Sequence, residues 1–379
     1  MPQSVVSVTL GELRQIGLER WLDEQLGDRS GLSVVGLTYE AGLAGETLVG
    51  GLVGGRDEAM VAATVATYPG WLSSEDGLGS WAAHGDTAAL SRALDHAPLP
   101  VPAAPPRVSL SDPHGFGPYR AAVEAIREGI AAGDFYQVNL ARRLEGELED
   151  ELGPALFFAL REAQPAAFST LWALDEGWLV SGSPECLLRF DERTRRAHTY
   201  PIKGTIGRAD NEADDQTLAA RLMASEKDRA EHVMIVDLAR NDLGRLASRV
   251  EVESLYAALP LATLRHLVSD IAAEIRPNVT LGQLVGALFP GGSITGAPKI
   301  AAMNAITRHE PFARGFYCGS LGLVFPDEAV FSILIRTAVV SGGRLVYPVG
   351  GGLVWDSAAE DEWRETELKA RALLRALGA

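Results

Sequence analysis

Short apolar runs closed by glycine-rich turns recur along this 379-residue sequence, and they do not alternate regularly with helical stretches. Leu32-Ser33-Val34-Val35-Gly36-Leu37 is one such run. Others lie around Ser169 to Arg189, near Lys203, and at 315–325, 329–340 and 344–349. A parallel sheet needs a strand–helix–strand rhythm, so the pattern predicts an α+β fold rich in antiparallel connections. The length exceeds that of a usual single core, which leaves one large interwoven fold and two domains both open. With 47% hydrophobic residues, a substantial core can be buried.

The helical signals are few and separable. Val123, Ile126 and Ile130 stand at helical spacing in a segment starting near Tyr119 and closed by Gly133-Asp134. A strand-like run follows, Phe135 to Leu144. A long helical stretch is expected from about Asp214 to Arg240, and Thr280 reads as the N-cap of a helix ending at Phe289-Pro290. Gly350-Gly351-Gly352 reads as a turn before a last helix from about Asp356, with Ser357-x-x-Glu360 as its capping box. Seven of the twenty prolines fall between Pro98 and Pro118, the mark of an extended connector. The expected division is therefore an N-terminal α/β segment at 1–97 that carries no chemical motif, a connector at 98–118, and a catalytic region at 119–379.

Thirty-four basic against fifty acidic residues give a net charge of −16, which disfavours nucleic acid and acidic membrane surfaces as partners. An anionic substrate would need local devices: backbone N–H groups, an Arg, a Lys or a metal ion. Two cysteines, Cys186 and Cys318, without CxxC or cysteine–histidine spacing, fit a reducing compartment and argue against structural zinc. The N-terminus does not resemble a signal peptide and no apolar run approaches a membrane span, so a cytoplasmic location is expected.

Asp228 with Glu231, and Glu362 with Glu365, are spaced to share a helical face. Two such faces across a cleft would suit Mg²⁺, which takes one or two carboxylates and keeps several waters. Solvated surface is the commoner meaning of that spacing. The segment Gly291 to Lys299 could aim backbone N–H groups at an anion, with Lys299 adding charge, or could be a plain tight turn. It fits neither the phosphate-loop nor the dinucleotide spacing. Arg336, within an apolar run, needs a bidentate partner, either a structural acid or a substrate carboxylate. Lys203 can be a nucleophile only if burial or a nearby cation keeps its amine neutral, the plainer reading being a solvent-facing strand lysine. His266, between Arg265 and Leu267, is an acid–base candidate or a hydrogen-bonded core histidine.

Taken in order, these segments resemble the chorismate-utilising enzymes over roughly 113–379. The resemblance rests on Gln137-Val138-Asn139-Leu140, Ser183-Pro184-Glu185, Lys227 to His232, Asp237 to Arg245, the 291–299 segment, Arg314 to Gly319, and Gly350-Gly351-Gly352 with Asp356-Ser357. It implies two facing, largely antiparallel sheets covered by helices, with chorismate and Mg²⁺ between them. It makes Glu231 and Glu365 metal-binding glutamates, and Asp228 and Glu362 the acids that hold metal waters. Asp228 is shorter than the Glu often found at its place. Tyr317 and Arg336 would hold a substrate carboxylate, helped by Thr295, Lys299 and the backbone of Gly350 and Gly351. Glu185 would assist departure of the C4 hydroxyl, and His266 would lie near the ring.

Two positions sort the branches. Gln137 stands where water-adding members carry a base lysine, and Lys203 where members aminating C2 usually carry alanine. The resemblance is therefore to the branch that aminates chorismate at C4, toward p-aminobenzoate and folate, with Lys203 as the nucleophile. Neither cysteine lies in a nucleophile-elbow context, so the resemblance implies ammonia from a separate glutamine amidotransferase subunit. Amination at C2, giving anthranilate or 2-amino-2-deoxyisochorismate, and a non-catalytic chorismate-binding regulator stay open as alternatives.

Overall fold

Two crossings between sheets, lying side by side, organise this computed structural model, which describes residues 2–27, 31–44, 60–74, 82–88, 90–91, 104–209, 211–260 and 264–378. The larger sheet has ten strands. Their order is β1 (Ser4–Thr9), β3 (Val61–Tyr68), β2 (Leu32–Leu37), β15 (Ser320–Val324), β16 (Glu328–Ile333), β9 (Cys186–Asp191), β10 (Arg196–Tyr200), β13 (Leu264–Ile275) and β11 (Ile202–Gly207), with β12 (Ala247–Pro260) on the other edge of β13. The second sheet runs β14 (Gly296–Ala297), β6 (Gln137–Glu147), β18 (Arg344–Leu353), β17 (Thr337–Ser341), β8 (Trp178–Ser183) and β7 (Phe168–Ala173). A small hairpin, β4 (Gly70–Ser73) with β5 (Ala82–Gly85), completes the described strands. Every pairing between them is antiparallel, and helices supply the rest, so the fold is α+β as expected. One core takes Val35 and Phe331 from the larger sheet and Val138, Leu140 and Leu353 from the smaller. None of the described helices is long and apolar enough to cross a membrane.

Two of the chain's passages between the sheets, from the second to the first between β8 and β9 and from the first to the second between β16 and β17, lie together. The two passages are bonded to each other. Ser183 Oγ donates to the Ile333 carbonyl (2.5 Å), Ile333 N–H to the Glu185 carbonyl (3.0 Å), and Gly182 N–H to the Arg336 carbonyl (3.0 Å). Each crossing carries one predicted site residue, Glu185 and Arg336. The run 329–340 is therefore not one strand with a charge inside it. It is two strands in two sheets, and Arg336 sits at their junction with φ +52°, a left-handed conformation that costs an arginine backbone strain.

Other expectations change for identifiable reasons. The helix foreseen over 214–240 is two, Glu212–Ala224 and Glu226–Gly244, because Ser225 leaves helical geometry and its hydroxyl accepts from Asp228 N–H. Gly350-Gly351-Gly352 is not a turn but part of β18, paired with Ala141, Leu140 and Asn139 of β6. The last helix, Ala359–Ala376, begins without a capping box, since the Ser357 hydroxyl donates to Glu362 Oε1 (2.6 Å) instead. Thr280 does cap Leu281–Leu288, in a box with Gln283. Of the proline-rich connector, 98–103 lies outside the described residues.

Of the described N-terminal strands, β1, β2 and β3 belong to the larger sheet through β2–β15 pairing. A second tie is a buried cation. Arg314 forms an ion pair with Glu310 in which both side chains are almost wholly inaccessible (1% exposed). Its guanidinium also donates to the carbonyls of Ile294 (2.9 Å) and Asn139 (2.8 Å), and lies over the Tyr39 ring. The Arg314 and Gly315 N–H groups donate to Glu40 (2.8 and 3.1 Å). Removing one partner of a buried pair strands the other, at a cost of about 3–5 kcal/mol. Arg314→Met should therefore be destabilised by about that much in urea unfolding.

Candidate active site

A cavity of about 310 Å³ lies where the sheets meet. The larger sheet and the two crossings give it Glu185, Lys203, His266 and Arg336, β18 gives Gly350 and Gly352, and the helices Glu226–Gly244 and Ala359–Ala376 give Asp228, Glu231, Glu362, Glu365 and Lys369. Tyr317 also lines it.

Lys203 owes its place to a local irregularity. Pro201 separates β10 from β11, yet both pair with β13, and the ladder shifts register between Lys203 and Thr205. Gly204 is the additional residue, with φ +69°, so the segment is a glycine bulge that re-aims the side chain before it. Lys203 is half-buried at the cavity wall. Withdrawal from bulk water lowers the pKa of its amine, opposed by the Glu231, Glu365 and Glu185 carboxylates and assisted by the Lys369 charge. Burial and the Lys369 charge thus act toward the neutral amine that a nucleophilic lysine needs.

Glu185 is 2% exposed; its Oε1 accepts from Ser293 Oγ (2.6 Å) and from Ile202 N–H (3.3 Å). Burial raises its pKa to about 7, against the pull of those bonds and of Lys203 and Arg336. A carboxyl poised there can give or take a proton near neutrality. His266 cannot easily do so. Its Nδ1 lies 2.9 Å from the Gly204 carbonyl, which can only accept, so Nδ1 carries the proton and Nε2 accepts from Arg336 (2.5 Å). Burial, then the Arg336 charge, hold its pKa down to about 3. Of the two readings the sequence left open, the geometry favours the hydrogen-bonded histidine, here one that holds Arg336. The other terminal nitrogen of Arg336, Nη1, is buried and has no hydrogen-bond partner among the described residues. A guanidinium held on one side and open on the other is suited to an incoming carboxylate.

Three residues expected around a substrate do not line the cavity. Lys299 does not line the cavity. Its ammonium pairs with Asp242 (2.7 Å) and faces the Ala287 and Leu288 carbonyls at the end of Leu281–Leu288, a good place for a cation. The Thr295 hydroxyl is spent on the Gly291 carbonyl (2.9 Å) within its own short helix, Gly292–Thr295. Gly351 faces the acids instead of the cavity wall: a Cβ there would lie 3.2 Å from Glu362 Oε2 and 3.5 Å from Glu365 Oε1.

The four acids approach the cavity from two helices as their spacing suggested. Ser357 holds Glu362, and Lys369 pairs with Glu365 (2.7 Å) while donating to the Gly350 carbonyl (2.9 Å). Among the described residues, the cluster with ligand atoms within 4.8 Å of one another is a different one, His198, Glu253 and Asp270 on β10, β12 and β13. There His198 already bonds Asp270, and Glu253 pairs with Arg196. The cavity acids stand further apart, a donor set suited to a hard cation that keeps waters and shares its shell with a substrate.

The sequence model of the chorismate binding enzymes matches residues 60–375. The chain belongs to that family. It is 40% identical over 262 residues to aminodeoxychorismate synthase component 1 of Escherichia coli, an alignment covering 68% of this chain and 57% of that protein. It is 40% identical over 299 residues to the aminodeoxychorismate synthase of Streptomyces griseus (77% and 41% covered), and 39% over 258 residues to anthranilate synthase component 1 of Geobacillus stearothermophilus (67% and 50%). The chain thus spans about half the length of these curated relatives. Anthranilate synthase component I from Streptococcus pneumoniae has the same fold, with TM-score 0.76 at 24% identity over 91% of this chain and 81% of that one.

Within this family member, Lys369 and Ser293 are cavity residues that sequence reasoning passed over. Lys369 was detectable: it stands four after Glu365 and seven after Glu362, on their helical face. Ser293 was inside a segment judged only for its backbone. A carboxyl whose pKa is raised on folding favours the folded state below its unfolded value and loses that contribution as pH rises through the folded one. Wild-type stability relative to Glu185→Gln should therefore fall between pH 4.5 and about 7, read by urea unfolding across that range.

Proposed function

We propose that this chain is the chorismate-aminating component of an aminodeoxychorismate synthase, forming 4-amino-4-deoxychorismate from chorismate and ammonia. The observation that carries the reading is the half-buried Lys203 amine, its pKa lowered, facing the same cavity as Glu185 with a pKa near 7.

Arg336, oriented by His266 and open at Nη1, holds one substrate carboxylate beside Tyr317. The neutral Lys203 amine adds at C2, both ring double bonds shift, and the C4 hydroxyl leaves as water with the Glu185 proton. Ammonia then attacks C4, both double bonds return, and the Lys203 amine is expelled. The C4 ammonium gives its surplus proton to the Glu185 carboxylate, which restores the acid. Occupation of C2 by Lys203 is what directs nitrogen to C4. Gln137 near Lys203 offers an amide, which cannot activate water as a basic amine would, so a hydroxylated product is disfavoured.

Asp228, Glu231, Glu362 and Glu365 would hold Mg²⁺, which supplies positive charge toward the second substrate carboxylate. Ammonia would come from a separate glutamine amidotransferase subunit, and the relatives named as component 1 support such a partner. The product would serve p-aminobenzoate and folate synthesis. Amination at C2 is the second reading, favoured by the similar identity to anthranilate synthase component 1.

The purified chain given chorismate, Mg²⁺ and ammonium should turn over to a product with the mass of aminodeoxychorismate. Fluorescent anthranilate in its place would sink the C4 assignment, and tight chorismate binding without turnover would favour a regulator. Lys203→Ala should lose most C4 amination, whereas Glu185→Gln should lower kcat by about 10²–10⁴-fold. Chelation of divalent cations should abolish turnover, and Mg²⁺ should restore it.

A further inference from the structure

β18 carries three consecutive glycines, and they are there for three different reasons. A Cβ on Gly350 would collide with the backbone of β6, at 2.5 Å from the Leu140 carbonyl oxygen, so this glycine lets the two strands pair. A Cβ on Gly351 would crowd the acids Glu362 and Glu365. Gly352 is unlike both. It pairs with Asn139 in the β6–β18 ladder and is not among the glycines with left-handed φ, so its backbone is one that any residue can adopt. What it leaves empty is space. A Cβ there would fall 2.6 Å from Lys203 Nζ and 2.7 Å from Gln137 Nε2, closer than carbon and nitrogen can stand without bonding.

Both intruding atoms are free ends of side chains. A methyl group would push them aside instead of breaking the strand, so the demand for glycine is made by the site and not by the fold. No hydrogen bond would resist the push on Gln137. Its side chain is fully buried, and neither amide atom has a hydrogen-bond partner among the described residues. The amide is held by packing alone, beside the Lys203 amine.

We propose that Gly352 is a positioning residue for the reaction, the missing side chain that lets the Lys203 amine and the Gln137 amide converge on one spot of the cavity wall. The proposal rests on Lys203 being the reacting amine. Gly352 supplies no reacting atom; it acts by setting where Nζ stands relative to C2 of the substrate. Displacing a reacting group by about 1 Å can cost ~100-fold in rate without unfolding anything.

Gly352→Ala, alone and with Lys203→Ala, tests this. A crystal structure of the single variant should show Nζ and Nε2 shifted and the β18 backbone unmoved, with the melting temperature changed by no more than about 2 °C. The single variant should lose about 100-fold in kcat for C4 amination. Its KM for chorismate should rise less than about threefold. In the Lys203→Ala background the same substitution should lower the remaining rate by less than about threefold, because the amine it displaces is gone. Equal losses in both backgrounds would mean that Gly352 acts through the strand, and an unshifted Nζ would overturn the steric argument. A Lys203→Ala enzyme aminating C4 at the wild-type rate would remove the underlying reading of Lys203, and the single variant reveals that by itself.

Discussion

The buried Arg314–Glu310 pair is the constraint from which most of the site's geometry follows. A guanidinium without water must have its donors met, and here the acceptors come from three separate places in the sequence, Glu310, Ile294 and Asn139. Glu310 ends the helix Lys299–His309 and also accepts from Ala141 N–H (2.8 Å), so the pair fixes the middle of β6. The Asn139 carbonyl fixes β6 one turn of the pleat earlier, next to the cavity. The Ile294 carbonyl fixes the segment that brings Ser293 to Glu185. Glu40, pushed up to about 7 by burial, accepts from the Arg314 and Gly315 backbone and so joins the N-terminal part to the turn that presents Tyr317. One charge thus sets the relative position of groups that must later agree about a single substrate.

The two crossings between sheets do the complementary work. A strand can present a side chain only to one of its two faces, whereas a chain leaving one sheet for another can aim a residue into the space between them. Glu185 and Arg336 occupy such places, and mutual backbone bonds keep the crossings in step. The left-handed Arg336 is a strained residue at a functional position, held by Thr337 pairing on one side and His266 on the other. The glycine bulge after Lys203 works in the same way, by breaking regular alternation where a side chain must be re-aimed.

Much of this was legible in the sequence, though unevenly. The antiparallel α+β architecture was readable from strand-like runs without helical alternation, and the i, i+3 acids did reach one cavity from two helices. The sequence failed where meaning depends on tertiary pairing. Gly350-Gly351-Gly352 has turn composition, yet it pairs as strand because β6 comes close and leaves no room for side chains. Ser357 has the spacing of a cap and instead meets Glu362. Lys299 follows a glycine-rich segment as a phosphate-binding lysine would, but the free carbonyls of a neighbouring helix and Asp242 claim its charge. In each case local chemistry allowed two partners, and only the fold chose between them.

The charge balance of the cavity bears on the proposed reaction. Glu185, Asp228, Glu231, Glu362 and Glu365 face Lys203, Arg336 and Lys369 across the same space. With Lys203 neutral, as a nucleophile must be, the two remaining cations are outnumbered even when Glu185 holds its proton. A substrate with two carboxylates would enter such a field at a cost, since Arg336 can answer one of them and Lys369 is already engaged by Glu365. A divalent cation among the acids would offset two of their four negative charges and offer one substrate carboxylate a positive partner, leaving Arg336 to serve the other. It would also relieve Lys369 of its partner. The acidic helices and the lowered pKa of Lys203 are thus opposed in the chain alone, because carboxylates favour the protonated amine. They become compatible once the carboxylates have a cation of their own.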